Sequence, residues 1–240
     1  MAERAAIVTG ASSGIGLAIA HLLGEEGYAL TLAARRPEKL QATAAALAGE
    51  GFDVHAVAGN LGLEEDVQRV VAEHRERYGR LDVLVNSAGV GIGEPVGELT
   101  MKKVDIQIAT NLRSVILFYR ECRDLLAAAG AEHRRALVVN LASIAGKQGQ
   151  PWLSVYGATK AAISNFTQAM DRELIKEGIR STALCPAFVD TPMTDFVKGE
   201  IDAEDMITTA DIAEAVRFLL RLSPNCVVPE ITFARPDEGL

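Results

Sequence analysis

The feature that most constrains the fold is an apolar run that turns through glycines into a helix near the start of the chain. Ala5-Ala6-Ile7-Val8 leads into Thr9-Gly10-Ala11-Ser12-Ser13-Gly14-Ile15-Gly16, and helical periodicity sets in from Ile15. A continuous apolar run of this kind reads as a strand buried on both faces. Glycines directly after it let the backbone turn tightly and approach a pyrophosphate, which the N-terminal amides of the next helix can then bind. A strand, a glycine loop and a helix in this order demand an α/β architecture with a parallel sheet.

The rest of the sequence continues the alternation. Strand-like runs occupy residues 5–8, 28–34, 54–58, 81–85, 136–141, 179–184 and 227–233. Helical patterns occupy residues 15–26, 38–48, 64–78, about 104–129, 155–177 and 211–222. Gly27, Pro37, Gly79, Gly130, Gly178 and Pro186 punctuate the junctions. Pro229 lies inside the last run and is tolerable only at an edge or bulge, so that strand belongs at the sheet margin. No repeat, low-complexity tract or linker interrupts the pattern. The expectation is one doubly wound Rossmann-type domain over residues 1–240, a parallel sheet with helices on both faces.

At 240 residues and 49% hydrophobic, the chain can build one sizeable core. A net charge of −8 argues against nucleic acid or an anionic membrane surface as the main partner. No apolar run approaches the roughly 18 residues of a membrane span. Met1-Ala2-Glu3-Arg4 leads straight into the first strand, unlike a secretory leader. Cys122, Cys185 and Cys226 are scattered and read as buried small apolar residues, without metal-ligand spacing. His21 and His55 fall in a helix and a strand, and His74 and His133 in charged surroundings; no pair has ligand spacing, so no metal is expected. The expected setting is a reducing cytoplasm.

Four motifs fall at strand ends. Gly10 ends the first strand, Asn86-Ser87-Ala88-Gly89 the fourth, Ser143 follows the fifth and Pro186 the sixth. In an open parallel sheet, ligands bind beyond the carboxyl ends of the strands, near the point where strand order reverses. The motifs therefore converge on one crevice. Downstream of Ser143 lie Tyr156 and Lys160, four apart and so on one helix face. A free tyrosine titrates near ~10, and a nearby cation can lower that by roughly 1–3 units. Tyr119 and Arg123 share the spacing but lack a strand-end serine before them, and read as a packed ring beside a surface cation.

These residues, in this order, resemble the short-chain dehydrogenase/reductase family in its compact form, over nearly the whole chain. The matching pieces are Thr9-Gly10-x-x-x-Gly14-x-Gly16, Asn86-Ser87-Ala88-Gly89, Asn111, Ser143, Tyr156-x-x-x-Lys160 and Pro186-Ala187-Phe188-Val189-Asp190-Thr191. The resemblance implies hydride transfer between a nicotinamide cofactor and a small-molecule carbonyl or alcohol. It makes Tyr156 the general acid in reduction and the base in oxidation. Lys160 would tune Tyr156 and hold the nicotinamide ribose, Ser143 would hold the substrate oxygen, and Asn111 would anchor a water in a proton relay. Cofactor contacts would come from Gly10, Ser12, Ser13, Gly14, Ile15, Gly16, Arg35, Arg36, Asn60, Leu61, Asn86, Ala88, Gly89, Tyr156, Lys160, Pro186, Val189 and Thr191. Three positions depart from the usual pattern: Asn60 replaces an Asp against the adenine, Ser87 an Asn, and Ala187 a Gly.

The end of the second strand addresses cofactor choice. NAD binders of this fold place a carboxylate there for the ribose 2′-hydroxyl. Here the stretch is Leu32-Ala33-Ala34-Arg35-Arg36-Pro37, with no acid before Glu38. Guanidinium groups bind a 2′-phosphate through charge-assisted hydrogen bonds that a carboxylate would oppose. The expectation is NADP(H).

Residues 191–207 are irregular and, by resemblance, cover the substrate; Phe196, Val197 and Met206 would give the pocket an apolar side, and Trp152 borders the same region. Gly157, Ala158, Ala161, Ala162 and Ser164 make a small-residue face on the helix of Tyr156. Similar proteins pair this helix and the long one after Val104 across a two-fold axis, which implies a homodimer or, preferentially, a homotetramer. Two other functions remain open from sequence. One is a catalytically idle NADP(H)-binding module for sensing or assembly, against which the retained Asn111, Ser143, Tyr156 and Lys160 count. The other is a sugar-nucleotide epimerase or dehydratase, whose relatives carry a longer C-terminal region.

Overall fold

A computed structural model describes residues 3–236. Met1 and Ala2, which entered the argument against a leader, lie outside the described residues. The strands are β1 (Ala5–Thr9), β2 (Ala29–Ala34), β3 (Val54–Ala58), β4 (Val83–Asn86), β5 (Ala136–Leu141), β6 (Ile179–Pro186) and β7 (Glu230–Phe233). They form one seven-stranded sheet in the order β3-β2-β1-β4-β5-β6-β7, with every pairing parallel. The helices are α1 (Gly14–Glu25), α2 (Pro37–Gly49), α3 (Glu64–Tyr78), α4 (Met101–Gln107), α5 (Ser114–His133), α6 (Ser154–Leu174) and α7 (Thr209–Arg221). The expected doubly wound α/β fold is the observed one.

Alternation along each strand sends successive side chains to opposite faces. Ala6 and Val8 of β1 join Ile19 and Leu23 of α1, Leu40 of α2 and Ile212 and Val216 of α7 in one apolar layer. Ile7 joins Val67 and Val70 of α3, Phe118 and Leu126 of α5 and Ile163 of α6 in the other. All the residues of β1, β2, β4 and β5 are buried, which is why their sequences run apolar without alternation. Each large side chain so buried contributes roughly 1.5–3 kcal/mol.

Strand order reverses at β1, which has β2 on one side and β4 on the other. The crevice above this junction is where ligands bind in open α/β sheets. Several boundaries differ from the sequence reading. β4 starts at Val83, and Asp82 before it still bonds to both neighbouring strands: its amide donates to the Ala5 carbonyl and its carbonyl accepts from the Leu137 amide, each at 2.9 Å, while its carboxylate accepts from the Ala5 amide at 2.8 Å and pairs with Arg80 at 2.6 Å. β7 starts after Pro229, whose carbonyl accepts from the Ala183 amide at 3.0 Å although its nitrogen has no hydrogen to donate. The long helix begins at Met101, and a π turn over Ile108–Arg113 joins α4 to α5.

Two side-chain assignments change. Cys122 and Cys185 are buried as expected, but Cys226 is exposed, in the loop before β7. His74, flanked by charged residues in the sequence, turns inward. It is fully buried, with Nδ1 2.8 Å from the Thr31 hydroxyl of β2 and Nε2 2.8 Å from the Arg80 carbonyl. Burial pushes its pKa down to about 4, so the ring is a neutral bridge between α3 and the sheet.

Candidate active site

A cavity of about 290 Å³ opens above the carboxyl ends of β1, β4, β5 and β6. Gly10 ends β1 with φ +66°, and a Cβ there would fall 2.9 Å from the Ala88 backbone. Only glycine lets the first loop and the loop after β4 approach this closely. Thr9 secures the second loop, its hydroxyl accepting from the Ser87 and Ala88 amides at 3.0 Å each. Thr9 stands in the glycine motif, but its place there does not reveal this task.

α1 begins at the cavity. Its N-cap, Ser13, makes no side-chain cap, and its first turn carries no acid. Those amides and the positive end of the helix dipole suit a pyrophosphate. Arg35 and Arg36 border the same cavity and are exposed, and among the described residues neither has a side-chain hydrogen bond or ion pair. Arg36 is also the N-cap of α2, so that helix adds its own positive end beside the guanidinium groups. A glycine cradle, uncapped amides and two unengaged guanidiniums fit a dinucleotide bearing a 2′-phosphate.

Across the cavity stands a second group of residues. Ser143 follows β5 and caps the short turn Ile144–Gly146, accepting from the Ala145 amide at 3.2 Å. Tyr156 lies in the first turn of α6. Gly157 lets α6 close on that turn, since a Cβ there would be 2.6 Å from the Ala145 carbonyl oxygen. Lys160 is one turn further on, 5% exposed, and its Nζ donates to the Leu141 carbonyl at 2.5 Å. That ammonium lies 5.7 Å from the centroid of the Tyr156 ring.

Electrostatics of the site follow from burial. Desolvation raises the Tyr156 pKa, and the hydrogen bond with Ser143 pulls in the opposite direction. The phenol is therefore protonated at neutral pH, ready to donate. Lys160 is pushed down to about 8 by desolvation, so it remains mostly cationic at neutral pH but poorly solvated.

Of the residues assigned from sequence, Gly10, Ser12, Ser13, Gly14, Ile15, Gly16, Arg35, Arg36, Asn60, Leu61, Ala88, Gly89, Ser143, Tyr156, Lys160, Pro186, Val189 and Thr191 line this one cavity. Asn86 and Asn111 do not. Asn86 turns its amide down to the Asn140 side chain at 2.9 Å, beneath the cavity floor. Asn111 sits within the π turn, 1% exposed. Its Oδ1 accepts from the Val90 amide at 2.8 Å, and its Nδ2 donates to the Val90 carbonyl at 2.9 Å and the Thr159 hydroxyl at 3.1 Å. It clamps the loop after β4 to α6. Asn60 also spends its side-chain oxygen locally, accepting from the Gly62 amide at 3.2 Å.

The segment 191–207 contributes Thr191, Pro192, Met193 and Thr194 to the wall. Val197 and Met206, expected at the substrate, are instead buried, and Val189 bridges to Ile207 to fix the base of the segment. Phe196 remains outside, 60% exposed. Sequence reasoning missed Thr110, Thr194 and the Leu141 carbonyl, which becomes legible only when β5 and α6 are seen together.

Known proteins share this sequence and fold. The family model for short chain dehydrogenase matches residues 4–201. A Streptomyces virginiae protein named as a ketoacyl reductase of the monensin polyketide synthase is 40% identical over 197 residues, spanning 82% of this chain and 74% of that one. A variant of actinorhodin polyketide ketoreductase, solved with NADPH, has a TM-score of 0.86 and 32% identity, with 97% of each chain covered. L-sorbose reductase from Gluconobacter frateurii, solved with NADPH and L-sorbose, has a TM-score of 0.87 at 26% identity, covering 98% of this chain and 96% of that one. On a family match over most of its length and relatives above 30% identity, the chain belongs to the short-chain dehydrogenase family.

Proposed function

We propose that this protein is an NADP(H)-dependent oxidoreductase that interconverts a carbonyl and an alcohol, with Tyr156 as general acid and base. The observation that carries the reading is the sharing of one cavity by two groups: Ser143, Tyr156 and Lys160 on one wall, and the glycine loop with Arg35 and Arg36 on the other. Relatives solved with NADPH support the cofactor choice, and no acid follows β2 before Glu38. The bound dinucleotide supplies the hydride.

In the reduction direction, the Ser143 hydroxyl orients the substrate oxygen and the Tyr156 phenol gives it a proton as negative charge develops there. Lys160 stabilises the resulting phenolate, because its ammonium is held near the ring by the Leu141 carbonyl. In oxidation Tyr156 takes the proton back. Asn111 acts by holding Val90, and so the loop beside Gly89, against α6. Residues 1–240 act as one unit, with 191–207 over the substrate.

The chain works as a homotetramer or homodimer in the cytoplasm, without nucleic acid, membrane or metal partners. Ile106, Ile116 and Phe218 are large apolar side chains left exposed on α4, α5 and α7 and favour assembly. Among the described residues no helix is long and apolar enough to cross a membrane, and no cluster suits a metal ion. Incubation with NADPH and a panel of aldehydes and ketones tests the reading: the expected result is loss of NADPH absorbance with at least one carbonyl compound. Binding of NADPH without turnover of any panel member would overturn it.

A further inference from the structure

The short helix α4 leaves apolar residues outside and buries an amide. Met101 is 67% and Ile106 38% exposed, yet Gln107 is fully buried. Its Oε1 accepts from the Ile92 amide at 3.2 Å, while its Nε2 is buried without a hydrogen-bond partner among the described residues. A buried unpaired donor is a cost that an apolar side chain of similar size would avoid. Gln107 is therefore explained by its acceptor, and that acceptor acts on the loop after β4.

Residues 89–94 of this loop alternate between two neighbours. On one side the Val90 amide and carbonyl bond to Asn111, the Ile92 amide to Gln107, and the Glu94 carboxylate to Lys103. Lys103, Gln107 and Asn111 are four residues apart and form one row along α4 and the π turn. Glycine holds the intervening positions 89, 91 and 93. A Cβ at Gly89 would come 3.6 Å from Lys160 Nζ, at Gly91 3.8 Å from the Tyr156 ring, and at Gly93 2.0 Å from the Trp152 indole. Trp152, Tyr156 and Lys160 are again four apart. The loop is thus a ribbon held between two rows, with its bare glycine edge on Tyr156 and Lys160. The Glu94 amide closes its far end on the Trp152 carbonyl at 2.7 Å.

Gln107 is the middle rung. Asn111 fixes the ribbon beside Lys160 and Lys103 fixes it beside Trp152, so the contact between Gly91 and the Cδ2–Cε2 edge of the Tyr156 ring depends on the Ile92 amide. Resting on the carbonyl–alcohol reading above, we propose that Gln107 is a positioning residue for proton transfer: it holds the Ile92 amide, which keeps Gly91 against the Tyr156 ring and fixes where the phenolic oxygen stands. Gln107 does not line the cavity and acts only through the loop.

Two variants separate this role from a structural one. Gln107→Met removes the acceptor and the unpaired donor together, so its melting temperature should stay within about 4 °C of wild type. Gln107→Glu keeps an oxygen for Ile92 but buries a carboxyl group, and should melt lower. Activity should run the other way. With NADPH and 4-nitrobenzaldehyde, Gln107→Met should lose about tenfold or more in kcat, the scale of a misplaced catalytic group, with KM and NADPH affinity little changed. Gln107→Glu should recover most of that kcat. Wild-type kcat in Gln107→Met, or a kcat that follows melting temperature across the two variants, would overturn the proposal. Should Gln107→Glu not fold, Gln107→Met decides alone, through its kcat at an unchanged melting temperature. Trp152 is the single tryptophan of the chain, so its emission reports the ribbon without turnover. It should shift to the red in Gln107→Met and hold its wild-type position in Gln107→Glu; an unshifted Gln107→Met would also overturn the proposal. If the wild type reduces neither this aldehyde nor any other member of the carbonyl panel while the emission follows the acceptor, the hold of Gln107 on the loop stands and the activity reading fails.

Discussion

The Lys160 ammonium is anchored to the Leu141 carbonyl at 2.5 Å and stands 5.7 Å from the centre of the Tyr156 ring. A buried cation is thus fixed by the last residue of β5, the strand that Ser143 follows. Position comes from the sheet and charge from the helix, which makes the arrangement rigid and electrostatically costly at once.

That cost predicts a stability trade-off. Lys160 has a folded-state pKa of about 8 against an ordinary 10.5. Below pH 8 both states carry the proton and the folded state bears the full desolvation penalty. Between 8 and 10.5 the unfolded state holds the proton that the folded state has released, so stability rises with pH. Lys160→Met should therefore be more stable than wild type at pH 7 by on the order of 2 kcal/mol, after allowing for the Leu141 carbonyl left without its donor. The advantage should shrink across pH 8–10.5, as measured by urea unfolding. A variant less stable than wild type at pH 7 would contradict this account of the burial.

Arg35 and Arg36 predict cofactor preference. Each charged hydrogen bond to a phosphate contributes on the order of 1.5–3 kcal/mol. NADPH should bind at least about tenfold more tightly than NADH. The double change to Ala should remove most of that difference and leave NADH affinity nearly unaltered. Titration calorimetry on both forms checks it, and equal wild-type affinities would refute the assignment.

Tyr119 predicts a contrast with Tyr156. Its spacing to Arg123 is that of Tyr156 to Lys160, and the structure places it in the core. Its hydroxyl donates to the Ser181 hydroxyl at 2.9 Å and accepts from Asn140 Nδ2 at 2.9 Å, while Arg123 turns out to Glu177 and Asp124. Desolvation pushes its pKa far up, so it does not exchange protons near neutrality. Tyr119→Phe should cost about 1–3 kcal/mol of stability, because buried partners lose a hydrogen bond. Its kcat at a temperature where the variant is folded should stay near wild type. Unfolding curves and turnover on the same preparation separate the two effects.

Much of this was readable from the chain because the physics is local. β1, β2 and β5 are buried on both faces and their apolar runs say so; the glycine loop and Tyr156–Lys160 announce their positions by spacing. What stayed hidden depends on register or on packing between distant elements. Asn86 was expected at the cofactor, but it is the register partner of Asn140, and the two amides meet under the floor. The π turn that aims Asn111 at Val90 leaves no periodic mark in Ile108–Arg113. His74 stands among charged residues in the sequence, yet Thr31 on β2, far away in the chain, offers it a buried partner. Trp152 could be seen as a neighbour of the region, but its left-handed φ of +56° and its edge-to-face contact with Phe196 could not.

Assembly is open to a simple check. Ala158 and Ala161 are exposed on α6, whereas Gly157 faces its own chain at Ala145. With Ile106, Ile116 and Phe218 exposed as well, light scattering at micromolar concentration should give a dimer or tetramer. A monomer-sized species would rule the assembly out.

Tyr156→Phe tests the central claim most directly. It removes only the phenolic oxygen, leaving the ring to pack and Lys160 in place on Leu141. NADPH affinity should change little, while turnover of a carbonyl compound that the wild type reduces should fall by at least the ~10²–10⁴-fold that a positioned general acid supplies. Near-normal turnover in Tyr156→Phe would contradict the mechanism.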